Sequence, residues 1–566
     1  MTSLKVKLSK IAKQLTLQVK ICNKFLCHMN AYCPVSMNDP ENVKTVYDLF
    51  KAGLQLSPEE YCLERRISTL NAYSRELYYR YHKTIKTHRF MDTQPPEWTI
   101  TNMASASQGL CNVALYETLG PDAVEYVINH AELELIVCTS NHLAKLLKLK
   151  ATKLPILKVE DFGKRYPNDH EYPTSNDVFC IMYTSGTTGV PKGVMLQHGN
   201  FVAAVSAAKI LFKTDEKVVA HCFGRVYEMT MLASGGKLGY IWDGIETLVE
   251  NCQVFQPTFF GAVPRLLNKI YSLLAQRSIY AGGMTGLISL MAMNVKLRQL
   301  SEGRGCTYAL WDRLLFNRMK SLLSGRVNVR ASGAALLSHD VLQFLKVALC
   351  CDIREGYGAT ETTATGCLLR MGDNTAGSVG APYVCMESKL ADVPEMDDCQ
   401  ACVEPPKVEI CMRGPSVFKG YFKDQEQTDG VLDKDGWYHS GDIGTFNSQG
   451  SLTVVDRKKN IFKLSQGEYI APEKIENVFV KDPMVAQIFV HGEPLKSALI
   501  ATGKAGGLQS YEIPKAIYLE SKPFSIQKNL LTSSLKIKRH QAKKYYEKQL
   551  EKYVYIIGVI SPNYFT

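Results

Sequence analysis

Tyr183-Thr-Ser-Gly-Thr-Thr-Gly-Val-Pro-Lys-Gly193 decides how the rest of the chain is read. The stretch places the hydroxyls of Thr184, Ser185, Thr187 and Thr188 among Gly186, Gly189 and Gly193, with Lys192 near its end. It follows the apolar run Val178, Phe179, Ile181 and Met182, which reads as a strand entering a loop. Glycine lets a backbone turn tightly and expose its N–H groups, hydroxyls add donors, and Lys192 adds a mobile positive charge. Such a loop is equipped to cradle a polyphosphate. It is not a Walker A loop, which needs Gly-Lys followed by Ser or Thr, because Pro191 precedes the lysine and Gly193 follows it. A plain Gly/Thr-rich turn is the alternative, and the density of donors argues against it.

Candidates for further chemistry lie downstream in the chain. Ala331-Ser-Gly-Ala-Ala-Leu336 contains Gly333 and Ala334, small enough to let a flat ring approach the backbone. Glu355-Gly-Tyr-Gly-Ala-Thr-Glu361 offers the aromatic face of Tyr357, the bare turn of Gly358 and the hydroxyl of Thr360. Glu361 is a hard carboxylate of the kind Mg²⁺ prefers. Gly436-Trp-Tyr-His-Ser-Gly-Asp-Ile-Gly444 presents Asp442, able to accept two hydrogen bonds from a diol, and Arg457 can donate to a sugar or a phosphate. A solvated acid and a basic surface turn are the plain alternatives for that pair. The alternation Leu452, Val454 before Arg457-Lys-Lys459 reads as a strand leaving the core.

Together these segments resemble the adenylate-forming superfamily of acyl-CoA synthetases, luciferases and peptide-synthetase adenylation domains. Further segments are similar to its long-chain fatty acyl-CoA synthetases: Pro96-Glu-Trp98, Leu115-Tyr-Glu-Thr-Leu-Gly120, Val263-Pro-Arg-Leu-Leu-Asn268, Leu310-Trp-Asp-Arg-Leu-Leu315 and Glu468-Tyr-Ile-Ala-Pro-Glu473. The resemblance implies an ATP site formed by Thr184, Ser185, Gly186, Thr187, Thr188, Gly189 and Lys192. Gly333, Ala334, Tyr357, Gly358, Thr360, Asp442 and Arg457 would complete it. It implies Mg²⁺ at Glu361 and Thr184, and catalytic roles for Lys536, Glu361, Thr360, His221 and Lys192. Lys459 matches the hinge of a mobile lid, and Gly467 and Glu468 match the channel for the pantetheine arm of CoA. Judged locally, Lys536 is one basic residue among many, Lys458 and Lys459 are solvated charges, and His221 is a core or surface histidine. Order along the chain favours the functional reading.

The implied activity is ATP-dependent conversion of a long-chain fatty acid to acyl-CoA through acyl-AMP, the work of an acid–thiol ligase. Several departures keep two alternatives open. Ala359 stands where the family commonly has Gln, Gly224 replaces an acid before Arg225, and residues 65–92 and 501–510 do not resemble the family. A catalytically impaired ATP-binding member acting as a lipid-linked partner, or a ligase for a shorter or aromatic acid, remains compatible.

Composition sets the frame. At 566 residues, 46% apolar and 21% charged, the chain suits a globular protein with more than one domain. The implied fold is α/β. A segment 1–40 precedes a large domain 41–456 of stacked αβ sheets plus a β-barrel around 373–443, and a small α+β lid occupies 457–566. Residues 545–555 read as a terminal helix. Seventeen cysteines without a framework suggest a reducing, intracellular setting, and Cys399-Gln-Ala-Cys402 lacks the second pair of a zinc site. Net charge is +11, from 66 Lys and Arg against 55 Asp and Glu, which ATP, CoA and anionic lipid explain without nucleic acid. The first 38 residues contain no acid and mix lysines with apolar residues, a pattern for a basic helix on an anionic membrane surface. Docking on the protein's own body, or a targeting segment, would use the same residues. The longest apolar stretch, 281–293, is too short to span a bilayer and reads as a buried or interfacial helix. The expected location is peripheral, on the cytosolic face of the endoplasmic reticulum or the mitochondrial outer membrane.

Overall fold

Short apolar runs punctuated by glycine and proline build three large sheets. The computed structural model describes most of residues 96–133, 173–393 and 408–463, with shorter stretches inside 21–29, 43–49, 63–78, 136–158, 469–490, 517–531, 537–547 and 556–560. A nine-stranded sheet has a parallel centre in which Val218–Val219, Leu238–Tyr240, Phe259–Ala262, Val329–Ser332 and Asp352–Tyr357 pair side by side. Parallel strands covered on both faces are continuously apolar, and Phe259–Ala262 is buried at every position. The helix His339–Leu349 makes the crossover between the last two of these strands. Leu63–Thr69 and Ala72–Tyr78 extend one edge.

The four-stranded sheet carries Val178–Ser185 and Pro191–Gln197 as an antiparallel hairpin, flanked by Asn112–Val113 and Gly420–Tyr421. The helix His198–Phe212 follows at once and is buried on nearly every side. A helix apolar all round belongs inside a core. Its Ala203, Ala204, Val205 and Ala207 lie in one cluster with residues from all three sheets, including Leu196, Phe259 and Ile410.

The third sheet has six strands in the order Ile21–Cys22, Phe25–Met29, Glu387–Ala391, Val408–Arg413, Tyr438–Phe446 and Leu452–Arg457. Two expectations are corrected here. The barrel is an open sheet among the described residues. At its last strand, Leu452 exchanges backbone hydrogen bonds with Val379 and Gly380, so that edge is already occupied. Within the basic N-terminal segment, the described residues are strands rather than helix. Phe25–Met29 pairs antiparallel with Glu387–Leu390, satisfying backbone groups that a bare edge would leave open.

Near the C-terminus, Val485–Val490, Ile556–Ile560 and Ile517–Glu520 form a three-stranded sheet. Phe489, Phe524, Leu530, Leu531, Ala542 and Tyr546 make a core separate from the clusters above. Arg539 holds Glu476 at 2.7 Å there. A helix runs over Arg539–Tyr545, most of the expected helix 545–555 lies outside the described residues, and Ile556–Ile560 returns as the central strand. No helix among the described residues is long and apolar enough to cross a membrane.

Candidate active site

The hairpin register fixes the root of the phosphate-type loop. Thr184 pairs with Lys192 and Ser185 with Pro191, so the two strands close on residues 186–190. Beneath this root Tyr183 is buried, its hydroxyl 2.7 Å from His130 Nδ1. Burial raises the Tyr183 pKa and keeps the phenol neutral.

Glu361 stands on a single 3₁₀ turn, Thr360–Thr362, just past the strand Asp352–Tyr357. The chain doubles back so closely at Gly358 that a Cβ there would lie 2.7 Å from the carbonyl carbon and oxygen of Ala364. Thr363 and Ala364 are left-handed, with φ of 51° and 58°. That conformation costs about 1–3 kcal/mol per residue. The offsetting bonds are on hand. Thr362 Oγ1 accepts from Ala359 N–H at 3.0 Å, Thr363 Oγ1 donates to the Ser416 carbonyl at 2.7 Å, and Phe418 N–H donates to the Glu361 carbonyl at 2.8 Å. Asn200, on the buried helix, donates to the carbonyls of Pro415 and Val417, tying this loop to the core.

The Glu361 side chain is held in turn. Tyr421 donates its hydroxyl to Glu361 Oε1 at 2.9 Å, and Lys192 Nζ lies 5.1 Å over the Tyr421 ring. Burial, then the Glu361 carboxylate, raises the Tyr421 pKa, so the phenol remains a donor. The row Lys192–Tyr421–Glu361 joins a residue of the hairpin to the acid of the 3₁₀ turn.

A second group forms around Asp442. Tyr357 donates its hydroxyl to Asp442 Oδ2 at 2.6 Å, and Arg457 Nε lies 3.4 Å from Oδ1. Asp442 and Arg457 are direct cross-strand partners. Each carboxylate oxygen thus has a partner of its own, the Tyr357 phenol on Oδ2 and the Arg457 guanidinium on Oδ1. The acid is positioned from behind: Glu409 Oε1 accepts from Gly441 N–H at 2.9 Å, and Ser440 Oγ accepts from Asp442 N–H at 3.1 Å. His439 Nδ1 sits 3.3 Å from Glu409 Oε2 and 3.4 Å from Cys411 Sγ, and those contacts push the imidazole up to about 10. Tyr438 connects the two groups. Burial, then the charges of Glu361 and Asp442 among others, raises its pKa, so both acids lie within electrostatic reach of one phenol.

Gly333 is half-buried at the end of Val329–Ser332, beside the Asp352–Tyr357 strand, where Ser332 pairs with Glu355. Glu355 is buried, accepts from Leu337 N–H at 3.3 Å, and is pushed up to about 7 by burial. Thr360 is half-buried next to Glu361, and Lys459 is exposed in the turn after Leu452–Arg457. Arg225 is buried with its guanidinium 4.9 Å over the Trp98 ring, which ties it to the Pro96-Glu-Trp98 segment. Gly186, Thr187, Thr188, Gly189, His221, Ala334, Gly467, Glu468 and Lys536 lie outside the described residues, as does Ser185's side chain. Of the expected residues, the structure therefore brings together Lys192 with Glu361, and Tyr357 with Asp442 and Arg457. Tyr421, Tyr438 and Glu409 were not singled out from sequence. The one signal for Tyr421 was its place in the aromatic run Phe418-Lys-Gly-Tyr-Phe422.

Residues 90–422 match the family model described as AMP-binding enzyme. The chain is 37% identical to a long chain acyl-CoA synthetase 7, peroxisomal, of Arabidopsis thaliana, with 82% of this chain and 77% of that protein covered. It is 35% identical to a long-chain-fatty-acid–CoA ligase 1 of Homo sapiens, with 90% and 86% covered. Among solved structures, the adenylation domain of a Mycobacterium chelonae carboxylate reductase superposes with a TM-score of 0.72 at 23% identity, covering 91% of this chain and 92% of that one. That last likeness speaks to the fold.

Proposed function

The chain belongs to the AMP-binding enzyme family, and from that premise we infer that it activates long-chain fatty acids to acyl-CoA. A fatty acid carboxylate attacks the α-phosphorus of ATP, pyrophosphate leaves, and the CoA thiol then attacks the acyl carbon of the acyl-adenylate to release AMP. The similarity to long-chain synthetases over most of the chain supports the reaction. The observation that carries the site is the pair of held carboxylates, Glu361 on Tyr421 and Asp442 on Tyr357.

The loop rooted at Thr184 and Lys192 binds the β- and γ-phosphates, with Lys192 meeting charge as it develops on the departing pyrophosphate. Asp442 and Arg457 hold the ribose, Tyr357 and the Gly333 backbone flank the adenine, and Thr360 donates to the α-phosphate. The donor set suits Mg²⁺. With Oε1 of Glu361 engaged by Tyr421, Oε2 is a hard oxygen left for a metal, and the Thr184 hydroxyl adds a second. Mg²⁺ bound there would supply charge neutralisation to the phosphates. Lys536 meets the carboxylate and α-phosphate during the first step. The lid then turns about Lys459, withdrawing Lys536 and bringing Gly467 and Glu468 to the thiol. The basic N-terminal segment adds attraction to an anionic membrane, where a fatty acid partitions at about 0.8 kcal/mol per CH₂.

The test is direct. Purified protein given ATP, CoA and palmitate, octanoate or benzoate is assayed by mass spectrometry. Palmitoyl-CoA and AMP in equal amounts, with little product from benzoate, are expected. ADP in place of AMP, or benzoyl-CoA as the main product, would overturn the assignment.

A further inference from the structure

The helix Gly283–Ser301 turns large apolar side chains outward, the wrong sense for a protein surrounded by water. Its buried side consists of Gly286, Ser289, Ala292, Met293, Lys296 and Leu300. Its outer side carries Met284, Leu287, Ile288 and Met291, exposed at 71%, 64%, 44% and 62%. These four follow the i, i+3, i+4, i+7 spacing of one helical stripe. A lysine and a serine therefore face in while long apolar side chains face out.

The orientation is fixed by what the inner face holds. Lys296 Nζ contacts Asp312, donates to the Val347 carbonyl at 3.0 Å, and lies 4.2 Å over the Phe316 ring. Rolling the helix to hide its apolar stripe would break these contacts and strand Asp312. The following segment repeats the theme. Gln299 Nε2 reaches the Thr307 carbonyl at 2.7 Å, and beyond it Leu310 and Leu314 are also exposed.

Charge identifies the occupant. Residues 265–326 contain ten Lys and Arg against two acids, Glu302 and Asp312. Both acids are already in contact with cations, Glu302 with Arg304 and Asp312 with Lys296. Arg277, Arg298, Arg313 and Arg318 are exposed in the same stretch. Exposed apolar side chains in a stretch rich in exposed arginine, with its acids countered, complement an anionic bilayer.

We propose that the face formed by the helix Gly283–Ser301 and the neighbouring Leu310 and Leu314 docks the protein on anionic phospholipid membranes. It is a second contact, formed by the folded body and independent of the basic N-terminal segment. Its purpose, placing the enzyme where long-chain acids dissolve, rests on the proposed activity. Vesicle binding needs no turnover, so the two ideas fail separately.

The experiment is co-sedimentation of the full chain with phosphatidylcholine vesicles, with and without phosphatidylserine, at low and high salt. Wild type is expected on phosphatidylserine vesicles, released in part by salt, and Leu287→Gln/Met291→Gln is expected to lose about tenfold or more in partitioning. Unchanged partitioning of that double variant would overturn the proposal. So would sedimentation velocity showing wild type as a dimer and the double variant as a monomer with equal vesicle binding, which marks a contact between copies. Should the double variant unfold, Met291→Trp decides: its emission is expected to shift to the blue with phosphatidylserine vesicles, and no shift would contradict the proposal.

Discussion

Tyr421 shows how a site residue depends on a partner remote in sequence. Its hydroxyl donates to Glu361 Oε1, 60 positions earlier in the chain, because Gly420–Tyr421 pairs with Pro191–Gln197 beside the 3₁₀ turn. Hydrogen bonds to charged groups contribute about 1.5–3 kcal/mol. Tyr421→Phe should therefore lower thermal stability by about 1.5–3 kcal/mol and kcat for acyl-CoA formation by about 10- to 100-fold. An unchanged kcat would show that Glu361 needs no such anchor. Glu361, Asp442 and Lys192 were legible from sequence because short motifs surround each of them. Tyr421 and Glu409 were not, since strand pairing rather than local wording brings them to the site. Glu355 offers a different test. Burial lifts its pKa from 4.5 to about 7, so the folded state holds the proton more tightly than the unfolded chain. Stability should then fall as pH rises from about 4.5 to about 7. Glu228, also lifted to about 7 by burial, acts in the same direction. Urea unfolding of Glu355→Gln across that window should show a shallower decline than wild type. An identical slope would contradict the burial argument.

At the scale of elements, the turn Gly358 to Gly366 fixes where Glu361 stands. A methyl at Gly358 would sit 2.7 Å from backbone atoms of Ala364, where no flexible side chain can yield. Overpacking of that kind costs about 1–3 kcal/mol. Gly358→Ala should lower stability by that amount and abolish acid activation, because the displaced turn carries Glu361. Denaturation and activity measured together check this, and full activity would show that the turn tolerates opening. The sequence made the Gly/Thr loop visible because the apolar strand before it is continuous. It hid the hairpin, whose second strand opens with Pro191, Lys192 and Gly193 and becomes apolar only at Val194. The barrel was misread for a related reason. Alternating strands at 387–391, 408–413 and 438–446 specify a sheet, whereas closure depends on its edges, and Val379 and Gly380 occupy one of them. The N-terminal lysines suggested a helix; they lie outside the described residues, and beside them Phe25–Met29 completes a strand edge, a tertiary demand that overrides local pattern there.

Across the whole molecule, the proposed chemistry divides between the hairpin-and-turn site and the C-terminal segment with its own small core. Two half-reactions sharing one lid should separate genetically. Lys536→Ala should lose acyl-AMP formation by 10²-fold or more, on the order of a removed transition-state donor. It should still convert added palmitoyl-AMP and CoA to palmitoyl-CoA. Equal loss of both steps would argue against a lysine that serves only the first. The most direct test of the central claim is ATP–pyrophosphate exchange on the purified protein with palmitate, with and without Mg²⁺. Exchange that requires both palmitate and Mg²⁺ is the predicted result and establishes reversible acyl-AMP formation at this site. ATP binding without exchange for any acid offered would contradict the account, leaving a nucleotide-binding relative that no longer turns over.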